Sequence, residues 1–265
     1  MKILVLGAGK MGAWFVESLC LDHDVGVFDL NKRKLKYFFH AHRFLTYNEI
    51  EAFNPELVIN AVSLQHTKKA FDEVIPYLSD NCILSDITSV KNGLHDYYSQ
   101  TGMRFVSTHP MFGPTFANVK DLAQQNAIII NESDEEGKHF FREFYQSFHL
   151  RIFEYTFSEH DKTTAYSLAT PFSSTLVFAS CMKEQEAPGT TFKKHLNIAK
   201  GLLSEDNYLL SEILLNPYTL DQVEEIHAKL DQLLSLIKQR DTEGLHQFFN
   251  EVRENLGDMN DTSEH

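Results

Sequence analysis

Ile3-Leu4-Val5-Leu6-Gly7-Ala8-Gly9-Lys10-Met11-Gly12 decides the fold of this chain. Four consecutive apolar residues read as a buried strand, and Met11–Leu21 continues as an amphipathic helix. A Gly-x-Gly-x-x-Gly string alone is a weak signal, but between a strand and a helix each glycine has a task. Gly7 permits the tight turn, Gly9 lets the backbone approach a pyrophosphate, and Gly12 lets the helix pack close to the strand. The N–H groups at the helix start then face phosphate charge. Asp29 ends the next apolar run, about twenty residues on, where an acid can accept from both hydroxyls of an adenosine ribose. Its charge repels a 2′-phosphate, which favours NAD over NADP. Lys32 and Arg33 follow closely, either as solvated charges or as cations that soften that preference. The bland reading of the glycines is a structural turn with no ligand. The cofactor set is therefore Gly7, Ala8, Gly9, Lys10, Met11, Gly12 and Asp29, with Val62 added.

Outward from this unit, short apolar runs alternate with helical stretches. Strands are expected at Lys2–Leu6, Val25–Phe28, Leu57–Asn60, Cys82–Ser85, Arg104–Ser107, Ala127–Ile130 and Arg151–Glu154. Helices are expected at Thr67–Leu78 and Glu135–Phe148, the latter with Phe140, Phe141, Phe144 and Phe148 on one buried face. The alternation predicts a mostly parallel sheet covered on both sides. Beyond about residue 155 the reading is all helix: Ser158–Met182, Thr191–Leu203, Tyr208–Leu215, Leu220–Gln239 and Thr242–Asn255, with Thr219 as a candidate cap for the fourth. Val223, Ile226, Leu230, Leu233, Leu234 and Ile237 form a stripe that is either core or a face for a second subunit. The fold class expected is an α/β Rossmann-like N-terminal domain, 1–155, followed by an all-α C-terminal domain, 156–256, for substrate and dimerisation, with a frayed tail at 257–265.

The formal charge of −13 argues against nucleic acid, which needs a basic face. The three cysteines, Cys20, Cys82 and Cys181, have neither disulfide nor zinc spacing and read as buried thiols, and no histidine pair suggests a metal. The first apolar run is too short for a signal segment and no run could span a bilayer, so a soluble cytoplasmic protein is expected.

Two polar segments follow predicted strands: Ser85-Asp86-Ile87-Thr88-Ser89-Val90-Lys91 and Ser107-Thr108-His109-Pro110-Met111-Phe112-Gly113-Pro114-Thr115. Ligands of doubly wound sheets bind beyond the carboxyl ends of strands. His109 is the natural acid/base, because imidazole exchanges protons near neutral pH. Ser89 reads either as part of that site or as a helix N-cap with Lys91 in the first turn.

Together with Glu159-His160-Asp161, these strings resemble, in the same order, the prephenate dehydrogenase family of tyrosine biosynthesis, in versions similar to those of the Bacteroides group. His-Pro-Met-Phe-Gly-Pro, from His109 to Pro114, is the most specific part. The resemblance implies an NAD-dependent oxidative decarboxylation of prephenate to 4-hydroxyphenylpyruvate, with no fused chorismate mutase. It implies His109 as the catalytic base on the ring 4-hydroxyl and Ser89 as the residue orienting both, with Ser89 and Thr115 on the substrate. The chain departs from the family at Leu168-Ala169-Thr170-Pro171-Phe172, where Phe172 replaces a substrate-side histidine. It also has no arginine between Arg151 and Arg240, the family's carboxylate ligand falling near Gly201. Lys193, Lys194 and Lys200 are the available cations, and Lys193 and Lys200 are assigned to the substrate. A homodimer through the C-terminal helices and a small-molecule substrate are the expected partners. The rival readings are arogenate dehydrogenase, a 3-hydroxyacid dehydrogenase or imine reductase, and a non-catalytic NAD sensor.

Overall fold

A computed structural model of the chain describes residues 1–112 and 122–260. The strands are β1 (Lys2–Leu6), β2 (Asp24–Phe28), β3 (His42–Phe44), β4 (Leu57–Asn60), β5 (Ile83–Asp86), β6 (Arg104–Pro110), β7 (Asn126–Ile130) and β8 (Arg151–Tyr155). They form one sheet in the order β3-β2-β1-β4-β5-β6-β7-β8. Pairing is parallel except between β6 and β7. The first six strands thus have the doubly wound order of a Rossmann fold.

Alternate residues of β1 enter opposite cores: Ile3 and Val5 on one face, Leu4 and Leu6 on the other. On the first face, α1 (Lys10–Leu19) packs Trp14 and Phe15 against Phe144 of the later helix Glu135–Ser147, with ring centroids 5.4 Å apart in each pair. The aromatic face expected of that later helix is present. The other face is covered by α2 (Tyr47–Phe53), α3 (Thr67–Val74) and α4 (Leu94–Thr101). The Glu135–Ser147 helix is α5.

Three features depart from the sequence reading. The edge strand β3 has only Phe44 buried and carries no apolar run. Helix α2 is set by a capping box, Thr46 and Glu49, and not by a long stripe. Strand β6 runs on through Thr108, His109 and Pro110, which pair with Ile129, Ile128 and Ala127 of β7. His109 is therefore on a buried strand and not in a loop.

The chain divides into two compact units. Met1–Thr164 groups with Ser204–Asn216, and Ala165–Leu203 groups with the chain from Pro217 onward. The first holds the sheet, α6 (Phe157–Thr164) and a later helix, Asn207–Leu214. The second opens on a π-helical turn, Ala165–Ala169, and continues as α7 (Thr170–Ser180) and α8 (Thr190–Leu202). The expected helix Ser158–Met182 is present as three consecutive helical segments with no gap between them, and Pro171, the second residue of α7, has no N–H to donate. Asn207–Leu214 is α9, and α10 (Thr219–Gln239) and α11 (Thr242–Asn260) complete the second unit. Thr219 is the first residue of α10 and Tyr218 holds the cap position. Helix α11 runs past Asn255 into the expected tail, and residues 261–265 lie outside the described residues.

The second unit buries few of its own apolar side chains. Leu230, Leu234 and Ile237 of the α10 stripe are 53%, 44% and 56% exposed, which overturns the core reading of that stripe within one chain. Cys181, at the end of α7, is also exposed, unlike the buried Cys82; all three cysteines are free thiols. Among the described residues no helix is long and apolar enough to cross a membrane.

Candidate active site

The glycine turn is built as its chemistry demands. Gly7 has φ +95°, a conformation that disfavours side chains, and a Cβ there would stand 2.9 Å from the Ala61 carbonyl. A Cβ on Gly12 would lie 1.9 Å from the Gly7 oxygen, so α1 touches the turn directly. No described atom lies within 4 Å of where a Gly9 Cβ would stand, which leaves an open approach to the backbone. Gly9 is also the N-cap of α1 and supplies no side-chain partner to its first turn, so those N–H groups can face an anion.

Asp29, at the carboxyl end of β2, is tied to this turn. Its Oδ2 accepts the Ala8 N–H at 2.8 Å and its Oδ1 accepts the Asn31 N–H at 2.7 Å. The cation at Asp29 is Lys34, 3.5 Å away, and not Lys32 or Arg33. A cleft of about 500 Å³ opens here, with Gly7, Gly9, Asp29 and Val62 in its lining. Ala8, Lys10, Met11 and Gly12 form the turn and helix start behind it. The cleft also takes Asn31, Lys34, Tyr47, Ser63 and His66, which sequence reasoning missed. They come from loops and element starts with no periodic pattern, so only the folded sheet assembles them.

The second cluster lies at the carboxyl ends of β5 and β6. Asp86 ends β5 fully buried, accepting from Lys91 Nζ, from the Thr88 N–H at 3.1 Å and from the Tyr98 hydroxyl at 2.8 Å. Burial alone pushes the Asp86 carboxyl up, but the buried Lys91 ammonium outweighs it and holds the acid below the ordinary value. Lys91 Nζ also donates to the Thr108 carbonyl at 2.7 Å, and the Thr108 hydroxyl meets that of Tyr145 at 2.9 Å. The residue before His109 is thus held from both its backbone and its side chain. Lys91 turns inward to Asp86, so no helix starts at Ser89; α4 begins at Leu94 behind Gly93, whose φ is +68°. This corrects the N-cap reading of Ser89. Ser89 is half-buried in the turn and makes no hydrogen bond to His109 among the described residues.

His109 itself is 7% exposed. Its Nδ1 lies 3.0 Å from Nε2 of the fully buried His160, whose Nδ1 lies 3.3 Å from Asp161 Oδ1. A capping box starts α6: the Thr156 hydroxyl accepts the Glu159 N–H, and Glu159 Oε2 accepts the Thr156 N–H at 2.8 Å. That fixes the first turn, which carries His160. Burial first, then the nearby His160 and Lys91, hold the His109 imidazole well below its ordinary pKa. Burial also lowers that of His160, against the pull of Asp161. In the sequence Glu159-His160-Asp161 carries weight only as part of the family resemblance; its contact with His109 joins residues 51 positions apart and leaves no local signal.

Lys193 and Lys200 stand exposed on α8 of the second unit, and the cluster above is built from the first unit alone. Thr115 lies outside the described residues. No group of His, Cys, Asp and Glu among the described residues could hold a metal ion.

Known proteins are similar to this chain in sequence and in fold. The chain is 22% identical over 232 residues to a probable arogenate/prephenate dehydrogenase of Methanocaldococcus jannaschii, covering 80% of this chain but 50% of that protein. It is 24% identical to the prephenate dehydrogenase of Lactococcus lactis, covering 94% of this chain and 75% of the other. The crystal structure of prephenate dehydrogenase from Aquifex aeolicus, in complex with hydroxyphenyl propionate and NAD+, superposes with a TM-score of 0.83. That alignment covers 98% of both chains at 18% identity, a likeness of fold. Residues 29–150 match the family model of the prephenate dehydrogenase nucleotide-binding domain. That match takes in just under half of the chain and makes its nucleotide-binding region similar to that of prephenate dehydrogenases.

Proposed function

We propose that this chain is an NAD-dependent dehydrogenase that converts prephenate to 4-hydroxyphenylpyruvate. The observation that carries the reading is a buried His109 near the end of β6, its pKa held below the ordinary value by burial, in the same sheet as an open glycine cradle. The Gly9 opening, the uncapped start of α1 and the Asp29 carboxylate suit the pyrophosphate and the adenosine ribose of NAD. NAD, when bound, supplies the hydride acceptor. His109 takes the proton of the ring 4-hydroxyl as the C4 hydrogen leaves as hydride and the C1 carboxylate leaves as CO2. That proton returns to the product phenol, so prephenate and NAD give 4-hydroxyphenylpyruvate, CO2 and NADH. Lys193 and Lys200 are proposed to meet the substrate carboxylates, and Ser89 and Thr115 the ring end. A lysine offers a point charge in place of an arginine fork.

The test is absorbance at 340 nm with purified protein, NAD and either prephenate or arogenate. A rate with prephenate above that with arogenate is the expected result. No rate with either overturns the reading, and a rate with arogenate alone transfers it to that substrate.

Asp29→Ser is expected to shift the NAD-to-NADP ratio of kcat/KM toward NADP by roughly tenfold, about 1.4 kcal/mol. It removes the charge that repels a 2′-phosphate. An unchanged ratio takes Asp29 off the ribose. The pH profile follows from His109, which works only when neutral. Because burial, His160 and Lys91 lower its pKa and Asp161 pulls only through His160, kcat/KM should hold level below the ordinary histidine value of about 6.5 and fall at still more acid pH. A half-maximum above that value would contradict a buried neutral base.

The exposed α10 stripe supports a homodimer through the C-terminal helices. Sedimentation equilibrium should return twice the chain mass of 30.5 kDa; a monomer at micromolar concentration would refute it.

A further inference from the structure

We propose that His160 and Asp161 are positioning residues that fix the tautomer of His109, so that its Nε2 is the bare nitrogen that accepts the substrate proton. The inference deepens the reading of His109 as the base and rests on it. It follows from counting donors along one chain of contacts. The Asp161 carboxylate only accepts, so His160 Nδ1, 3.3 Å away, carries the hydrogen between them. A neutral imidazole has one N–H, so His160 Nε2 is then an acceptor. The partner of that nitrogen, His109 Nδ1 at 3.0 Å, must be the donor. His109 is left with a lone pair on Nε2 and no freedom to choose otherwise.

The surroundings favour this arrangement over a charged one. His160 is fully buried, and burial disfavours its imidazolium. A protonated His160 would donate from both nitrogens and force His109 Nδ1 to accept, which moves the hydrogen to Nε2 and disables the base. The Asp161 backbone is held too, its carbonyl accepting from Asn216 Nδ2 at 2.9 Å. When His109 takes a proton, its positive charge faces a hydrogen-bond acceptor that leads to a carboxylate. The row therefore also steadies the charged intermediate form, as an acid behind a histidine does in other enzymes.

The first experiment reads the imidazoles of the full-length protein by long-range 15N–1H correlation after histidine labelling. The His109 signals are identified by their loss in His109→Asn. A protonated Nδ1 and a bare Nε2 are expected; a protonated Nε2 overturns the proposal. This arm does not depend on activity, so it stands or falls apart from the role given to His109. The second compares His160→Leu with His160→Gln, whose amide oxygen can occupy the place of the ring Nε2. Leu should lower kcat at least about tenfold, part of the 10²–10⁴ that a positioned base contributes, with KM unchanged. Gln should recover most of it. Equal kcat in Leu and wild type, or equal losses in Leu and Gln, would refute a positioning role. If the Leu variant does not fold, the tautomer measurement decides.

Discussion

His109→Asn lowers kcat by about 10²-fold or more and leaves NADH affinity unchanged. The substitution is chosen for what it keeps. The Asn amide nitrogen matches the place of imidazole Nδ1 and still donates to His160 Nε2, now 3.0 Å from that ring. The rung between His109 and Ile128 is made by backbone and survives. Only the nitrogen that accepts the proton is lost. The cleft proposed for the nucleotide is lined from the ends of β1 and β2, the loop after β4, α2 and α3, and not by His109, so fluorescence titration with NADH should not change. An unaffected kcat would move the chemistry elsewhere and favour a 3-hydroxyacid dehydrogenase or imine reductase reading, in which a lysine or aspartate does the work. No turnover in the wild type, with NADH still bound tightly, would favour a nucleotide sensor.

Lys91→Met destabilises the first unit by about 3–5 kcal/mol, read as a fall in the denaturant midpoint. Lys91 and Asp86 are both fully buried, and removal of the ammonium leaves a carboxylate without its counter-charge. The Thr108 carbonyl loses its donor as well. The Tyr98 hydroxyl and the N–H and hydroxyl of Thr88 remain as partners of Asp86, and they soften the loss without neutralising the charge. The double variant Asp86→Asn, Lys91→Met should recover a large part of the stability, because the cost lies in the stranded charge and not in the lost attraction. A single variant as stable as the wild type would mean that Asp86 takes up a proton at little cost. Removal of Lys91 also lifts one of the influences that lower the His109 pKa. The acid limb of the rate profile should then move to higher pH.

Much of this molecule was legible before folding. Leu6 through Gly12 and Asp29 specify a strand, a turn, a helix and an acid after the second strand by local rules, and the structure joins them through the bond from Ala8 to Asp29. The parallel strands were legible because they are buried on both faces and read as unbroken apolar runs. The polar interior was not. Thr108 and His109 look like loop residues because nothing in their neighbourhood announces Lys91, Tyr145 or His160 as partners. Lys91 reads as a surface charge until Asp86 is seen beside it. Short polar edges such as β3 escape any pattern built on hydrophobic period. A long-range hydrogen bond has no signature along the chain, and the chemistry of this site is made mostly of such bonds.

Strand β6 changes partner midway: Arg104 to Ser107 pair with β5, and Thr108 to Pro110 pair with β7. The consequence is a division of inheritance within one sheet. The ladder behind the glycine turn, β3-β2-β1-β4, is complete without the last two strands, whereas the backbone of His109 is paired by β7. Variation in the β7 rung opposite His109 acts on the backbone of that residue, whereas α5, through Phe144, also supports α1 behind the glycine turn.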